Sequence, residues 1–140
     1  MDADQLASRV ANAMLAAEGT GPAWGVRIEE ARRGYCRLAM EVRDDMLNGH
    51  GMAHGGMIFA LADTAFAYIC NGDNHRTVAA QASIIFLGSA EAGETLVAEG
   101  EEVATSGRSG VTRVSVRTAE GRAVAEFTGY SRTIGGEVIG

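Results

Sequence analysis

One carboxylate in this chain stands where a carboxylate is costly. Asp63 lies inside the apolar run Met57–Cys70, four residues after Phe59 and three before Phe66, with no basic residue in the run to pair with it. Burying an ionised acid without a partner is strongly unfavourable. Such an Asp either pairs with a distant Arg or a backbone N–H, or it does chemistry as nucleophile or general base. The second feature is His54-Gly55-Gly56, directly ahead of the same run. The first N–H groups of a helix have no internal partner, and the positive end of the helix dipole stands behind them. Two glycines there clear the approach for an anion or a developing oxyanion. They equally permit simple close packing.

The spacing of these two features constrains their use. Gly55 and Asp63 are eight residues apart, which is about 12 Å along a helix at ~1.5 Å per residue. An oxyanion donor and a nucleophile must both lie within ~3–3.5 Å of one reacting carbonyl. One helix cannot deliver both to the same atom. Two antiparallel copies can, so catalysis by both residues predicts a symmetric dimer with two shared sites.

The elements that must position these residues follow from periodicity. Leu6, Val10 and Met14 recur every four residues behind Asp2 and Asp4, predicting an amphipathic helix over residues 1–20 closed by Gly19 and the turn Gly21-Pro22. From Trp24 the period changes to two. Trp24–Ala31 and Tyr35–Arg43 read as strands of a hairpin through Arg32-Arg33-Gly34, with Cys36, Leu38, Met40 and Val42 on the buried face. Residues 55–71 are apolar on every side except at Asp63 and Thr64, so this helix should be enclosed all round by a sheet. Four further strands follow at Val78–Leu87, Thr95–Thr105, Val111–Thr118 and Ala123–Arg132. The predicted order is α-β-β-α-β-β-β-β: an α+β fold in which one long antiparallel sheet curls around one central helix.

Composition removes several function classes. With 140 residues the chain makes one domain, residues 1–140, and 12 basic against 18 acidic side chains leave a net charge of −6. Every basic residue is Arg. An acidic chain with scattered arginines lacks the cationic face that nucleic-acid binding needs. No apolar stretch reaches the ~18 residues of a membrane span. Cys36 and Cys70 sit in apolar runs without CxxC spacing, which predicts reduced core thiols in a cytoplasmic protein. His50 and His54 are spaced i, i+4, but a Gly-rich loop would not hold them as one helix face. His50 and His75 therefore read as loop residues, and no metal site is expected.

Asn48-Gly49-His50, His54-Gly55-Gly56, Leu61–Tyr68 and the tail Arg132–Gly136 closely resemble the hot-dog-fold acyl-CoA thioesterases, nearest to those of phenylacetic acid degradation. The resemblance runs over essentially the whole chain and is most specific at Asn48–Asn71. It implies that Asp63 is the catalytic carboxylate and that Gly55 donates its N–H to the thioester oxygen. By the same resemblance Asn48 holds the carbonyl or the lytic water, although by turn chemistry it could only cap a turn. His54 would lie near the thioester or leaving sulfur, although it could equally be a helix N-cap. Thr64 would orient water. The resemblance also implies a homodimer with shared sites, pairing into a homotetramer. The acyl group it implies is aromatic, of the phenylacetyl or hydroxyphenylacetyl type. Phe59, Phe66, Tyr68 and Met52 would permit such a ring, and they would equally serve as core.

The resemblance requires no resident cofactor, since coenzyme A is part of the substrate. Its phosphates need local arginines, which match them in a fork geometry. The turn Gly107-Arg108-Ser109 is the first candidate, ahead of Arg132 and Arg76. One departure matters. Where the family has Arg-Pro after Phe-Leu, this chain has Phe86-Leu87-Gly88-Ser89. Two rival readings are a hydratase or dehydratase acting on a hydroxyacyl thioester with a His base, and an acyl-CoA sensor without turnover.

Overall fold

The computed structural model describes all 140 residues, Met1–Gly140. Two helices, α1 (Ala3–Ala17) and α2 (Thr20–Trp24), precede strands β1 (Arg27–Arg32) and β2 (Tyr35–Glu41). A 3₁₀ turn at Asp44–Met46 and the Gly-rich loop lead into α3 (Gly55–Cys70). Strands β3 (His75–Phe86), β4 (Thr95–Ser106), β5 (Ser109–Thr118) and β6 (Ala123–Glu137) complete the chain. The strands form one antiparallel sheet in the order β1-β2-β4-β5-β6-β3, and α3 touches every one of them. This is the expected helix-in-sheet architecture.

Local chemistry accounts for the boundaries. Asp2 and Gln5 close a capping box on α1, each side chain accepting the other's backbone N–H. The first helix ends at Ala17 rather than residue 20, and Gly21-Pro22 lie in α2 rather than in an open turn. Pro22 is tolerated there because the first turn of a helix has no use for its missing N–H. The first strand accordingly begins at Arg27 instead of Trp24. Helix α3 stops at Cys70, one residue short of the expected 71. Asn71 caps it, with Nδ2 donating to Ala67 O and Thr77 O and Oδ1 accepting from Thr77 N. Those bonds also bind the end of α3 to the start of β3.

The core forms where Leu61, Ala62, Phe66 and Ile69 of α3 meet Leu38, Met40, Leu96, Val114, Val116 and Phe127 of the sheet. The sheet approaches closely because Gly129 has no side chain; a Cβ there would lie 2.7 Å from the Phe66 ring. The expectation that α3 is enclosed all round needs correction. Gly56 is exposed, and Ala60, Asp63, Thr64 and Ala67, spaced three and four apart, are only partly covered. These residues share one face of the helix, and the sheet does not close over it. Strand β3 is likewise an open edge, bonded to β6 on one side only, with Ile85 65% exposed.

Candidate active site

The loop ahead of α3 is held from both ends. His54 N donates to Met46 O, Ala53 N donates to Ala90 O, and a bridge joins Leu47 to Ala53. Within it, Asn48 Oδ1 accepts the backbone N–H groups of His50 and Met52 at 2.9 and 3.1 Å. Asn48 is thus a turn cap, and capping does not use up the side chain. Its oxygen is committed, and its NH₂ donates to nothing in the chain.

The same accounting isolates one donor at the start of α3. His54 is the N-cap. Its Nδ1 accepts from Gly56 N at 2.8 Å, so the ring proton sits on the exposed Nε2. Met57 N and Ile58 N both donate to His54 O. Of the four leading N–H groups only that of Gly55 has no partner. It therefore carries the positive end of the α3 dipole toward whatever lies outside.

Asp63 has no hydrogen-bond donor and no ion pair. Neither alternative pairing for this acid, with a distant Arg or with backbone, is realised. Desolvation alone holds its carboxyl above the ordinary carboxylate range. Thr64 beside it donates its hydroxyl to Ala60 O at 2.7 Å, which leaves only lone pairs to offer a water. Neither cysteine competes as a nucleophile. Burial pushes both the Cys36 and Cys70 thiols up to about 12.

The Asp63 shift has a thermodynamic consequence of definite sign. The folded protein binds this proton more tightly than the unfolded chain does. Asp63 therefore makes stability fall as pH climbs from the ordinary carboxylate pKa through the raised folded value. Asp63→Asn and Asp63→Ala should melt higher than the wild type at neutral pH, and the gap should close below about pH 4. Thermal melts across this range measure it. A lower melting point for Asp63→Asn at neutral pH would mean that the acid has a stabilising partner.

Opposite ends of α3 face different chemistry. At the Cys70 end a cleft is lined by Arg33, Cys70, Asp73, Glu102, Arg108 and Ser109. Arg33 is engaged there by Asp73 and Glu102 at 3.9 and 3.7 Å. Arg108, on the hairpin turned by Gly107 (φ 59°), is exposed and forms no ion pair. Ser109 Oγ accepts from Arg132 at 3.5 Å. At the Gly55 end an aromatic ring stands beside the polar His54 cap. The Phe86 ring stands over Gly55, and Arg122, which reaches Ser89 O, is neutralised by a forked pair to Glu94 at 2.9 and 3.1 Å. An arginine therefore does approach the segment that lacks Arg-Pro, but not as a free cation.

Among the residues considered as a lining, Phe66 and Tyr68 are 1% and 2% exposed and belong to the core. Phe59 and Met52 remain partly accessible. Phe86 is a further aromatic beside Gly55, not singled out from the sequence. Its alternation with Ala82 and Ile84 along β3 was the available signal. No cleft of the single chain is lined by Gly55 or by Asp63.

Comparison with known proteins decides the class of chemistry. The thioesterase superfamily profile matches residues 50–125, and the acyl-coenzyme A thioesterase PaaI of Escherichia coli K12 is 38% identical over 130 residues, covering 93% of each chain. The chain belongs to the thioesterase superfamily. It is a hot-dog-fold thioester hydrolase. The solved structure of the E. coli PaaI protein from the phenylacetic acid degradation operon superposes with a TM-score of 0.95 at 36% identity, covering 97% of this chain and 99% of that one. A thioesterase from Streptococcus pneumoniae, solved with coenzyme A, superposes with a TM-score of 0.77 at 28% identity, covering 80% and 90%. No helix of this chain is long and apolar enough to cross a membrane.

Proposed function

We propose that this thioester hydrolase acts on acyl-CoA, preferentially with an aromatic acyl group of the phenylacetyl or hydroxyphenylacetyl type. The observation that carries the reading is the pair of unsatisfied groups on α3, a Gly55 N–H without an acceptor and a half-buried Asp63 carboxylate without a donor. The relatives named above support the acyl-CoA class. The thioester oxygen accepts from Gly55 N–H, aided by the Asn48 NH₂. Asp63 of a second copy either attacks the carbonyl carbon, giving a mixed anhydride that water then hydrolyses, or takes a proton from the water that attacks it. The C–S bond breaks, the thiolate takes up a proton, and the acid is released. In this reading His54 Nε2–H serves the leaving sulfur and the Thr64 oxygen serves the water.

The second copy enters because one helix cannot bring Gly55 and Asp63 to one carbonyl. The uncovered face of α3 is built from small residues, and β3 presents twelve residues of open edge. Both are surfaces that a second chain covers. Outward-facing Tyr130 and Ile134, 42% and 49% exposed, support pairing of such dimers into a tetramer. The catalytic reading needs no resident cofactor or metal, and two free thiols suit a reducing cytoplasm.

The phosphates of coenzyme A fall to the Gly107-Arg108-Ser109 turn in this reading. Arg108→Gln should weaken inhibition by free coenzyme A by roughly tenfold, with less effect at high salt, because an unpaired guanidinium is what a phosphate recognises. An unchanged inhibition constant would place the phosphates elsewhere. The reading as a whole is tested by thiol release from a panel of aryl and aliphatic acyl-CoAs. Release fastest from the aryl members is expected; no release from any member would overturn it.

A further inference from the structure

A side chain at Gly55 would press on a neighbour. Its backbone is ordinary helix, and φ is not positive. A Cβ built on it would lie 3.2 Å from Phe86 Cζ, 3.5 Å from Cε1 and 3.8 Å from Cε2, so the tip of the ring stands directly against the residue carrying the unpaired N–H. Phe86 is 51% exposed, and Leu87 beside it is 57% exposed. One helical turn on from Gly55, Phe59 is partly accessible and packs edge-on against Phe127 at 5.4 Å. The Gly55 end of α3 is therefore walled by aromatic carbon. Arg108, one of the arginines without an ion pair, stands at the other end, lining a cleft with Cys70.

A thioester whose oxygen accepts the Gly55 N–H carries two substituents within a bond or two of that oxygen, the sulfur and the first carbon of the acyl group. The Phe86 ring, set against Gly55, is an apolar surface within reach of one of them. The sulfur leads to a polar chain ending in phosphates, which belongs on the side of an unpaired guanidinium. The apolar ring is left for the acyl group. A ring edge or face also offers a flat acyl group an offset or edge-on partner. We propose that Phe86 is the residue that selects the acyl group, acting as the wall of the acyl subsite at the oxyanion amide. The proposal rests on the acyl-CoA reading above. It adds a residue and a direction: the acyl group leaves Gly55 toward Phe86 and Phe59, and the thiol leaves away from them.

The test compares wild type, Phe86→Leu and Phe86→Ala by thiol release from phenylacetyl-CoA and acetyl-CoA, with product inhibition by free coenzyme A as a separate readout. Phe86→Ala should lower the ratio of kcat/KM for phenylacetyl-CoA over acetyl-CoA by roughly tenfold or more. Phe86→Leu, which keeps an apolar group of similar reach, should lie between Ala and wild type. The inhibition constant for free coenzyme A, which has no acyl group, should not move. The exposed position of the ring limits the folding cost, and the Leu variant carries the same ratio test if the Ala variant melts too low. A ratio unchanged in both variants, a parallel fall on both substrates, or a weakened inhibition by coenzyme A would overturn the assignment. If the wild type releases no thiol from any acyl-CoA, the underlying reading falls instead.

Discussion

Asp63→Asn is expected to cut thioester hydrolysis by roughly 10²–10⁴-fold, the usual worth of a positioned acid or base, while the protein folds as before. The substitution keeps the shape of the side chain and removes its charge. No hydrogen bond or ion pair is lost, because Asp63 has none. The desolvation that holds its carboxyl high is relieved, so stability does not suffer. Both chemical routes, attack on the carbonyl and activation of water, need the ionised carboxylate, and the amide can do neither. In the wild type the rate should rise with pH through one ionisation lying above the ordinary carboxylate range, and in the variant that rise should disappear. Turnover of Asp63→Asn at the wild-type rate would remove the acid from the reaction.

Two inactive variants should restore one another. Gly55 is the first residue of α3, where proline is favoured, and His54 before it is extended (φ −65°, ψ 135°), the conformation a following proline requires. Gly55→Pro thus deletes the one unpaired N–H and leaves the helix standing; the half-exposed Phe86 ring has room to give way. Loss of a single oxyanion donor should lower kcat by roughly 10²–10³-fold. Mixing Gly55→Pro chains with Asp63→Asn chains by co-expression makes half of the dimers hybrid. Each hybrid holds one site with both defects and one with none, so about a quarter of wild-type activity should return, given a symmetric dimer with shared sites. If each site were built within one chain, every site in the mixture would keep a defect and nothing would return. Thiol release from the co-expressed mixture against the two parents separates these outcomes.

Much of this was legible in the residues alone. The switch from a four-residue to a two-residue period separates α1 from the strands, and an apolar run of sixteen residues without a wide polar face marks a helix packed into a sheet. The lone acid in that run and the glycines before it mark both ends of the candidate site. The misreadings have local causes. A five-residue helix leaves no periodic signature, so the sequence pattern places Trp24 in a strand where the fold has α2. Enclosure of α3 on all sides was inferred from hydropathy. Small residues such as Gly56, Ala60 and Ala67 look the same whether a sheet of the same chain or another copy covers them.

Residue type and spacing along the chain determined the architecture, the acid at position 63 and the eight-residue separation of that acid from Gly55. These are statements about what a helix can reach and what a buried charge costs, and neither depends on a partner. The tertiary structure decided which groups are left over. Asn48 spends its oxygen on the loop and keeps its NH₂, His54 spends Nδ1 on Gly56, and the Gly55 N–H is the one left unpaired. Hydrogen bonds are satisfied by geometry among residues distant in sequence, so only the folded chain shows which donors and acceptors remain. The same holds for Phe86, which lies thirty-one residues from Gly55 along the chain and meets it only because β3 returns beside the start of α3.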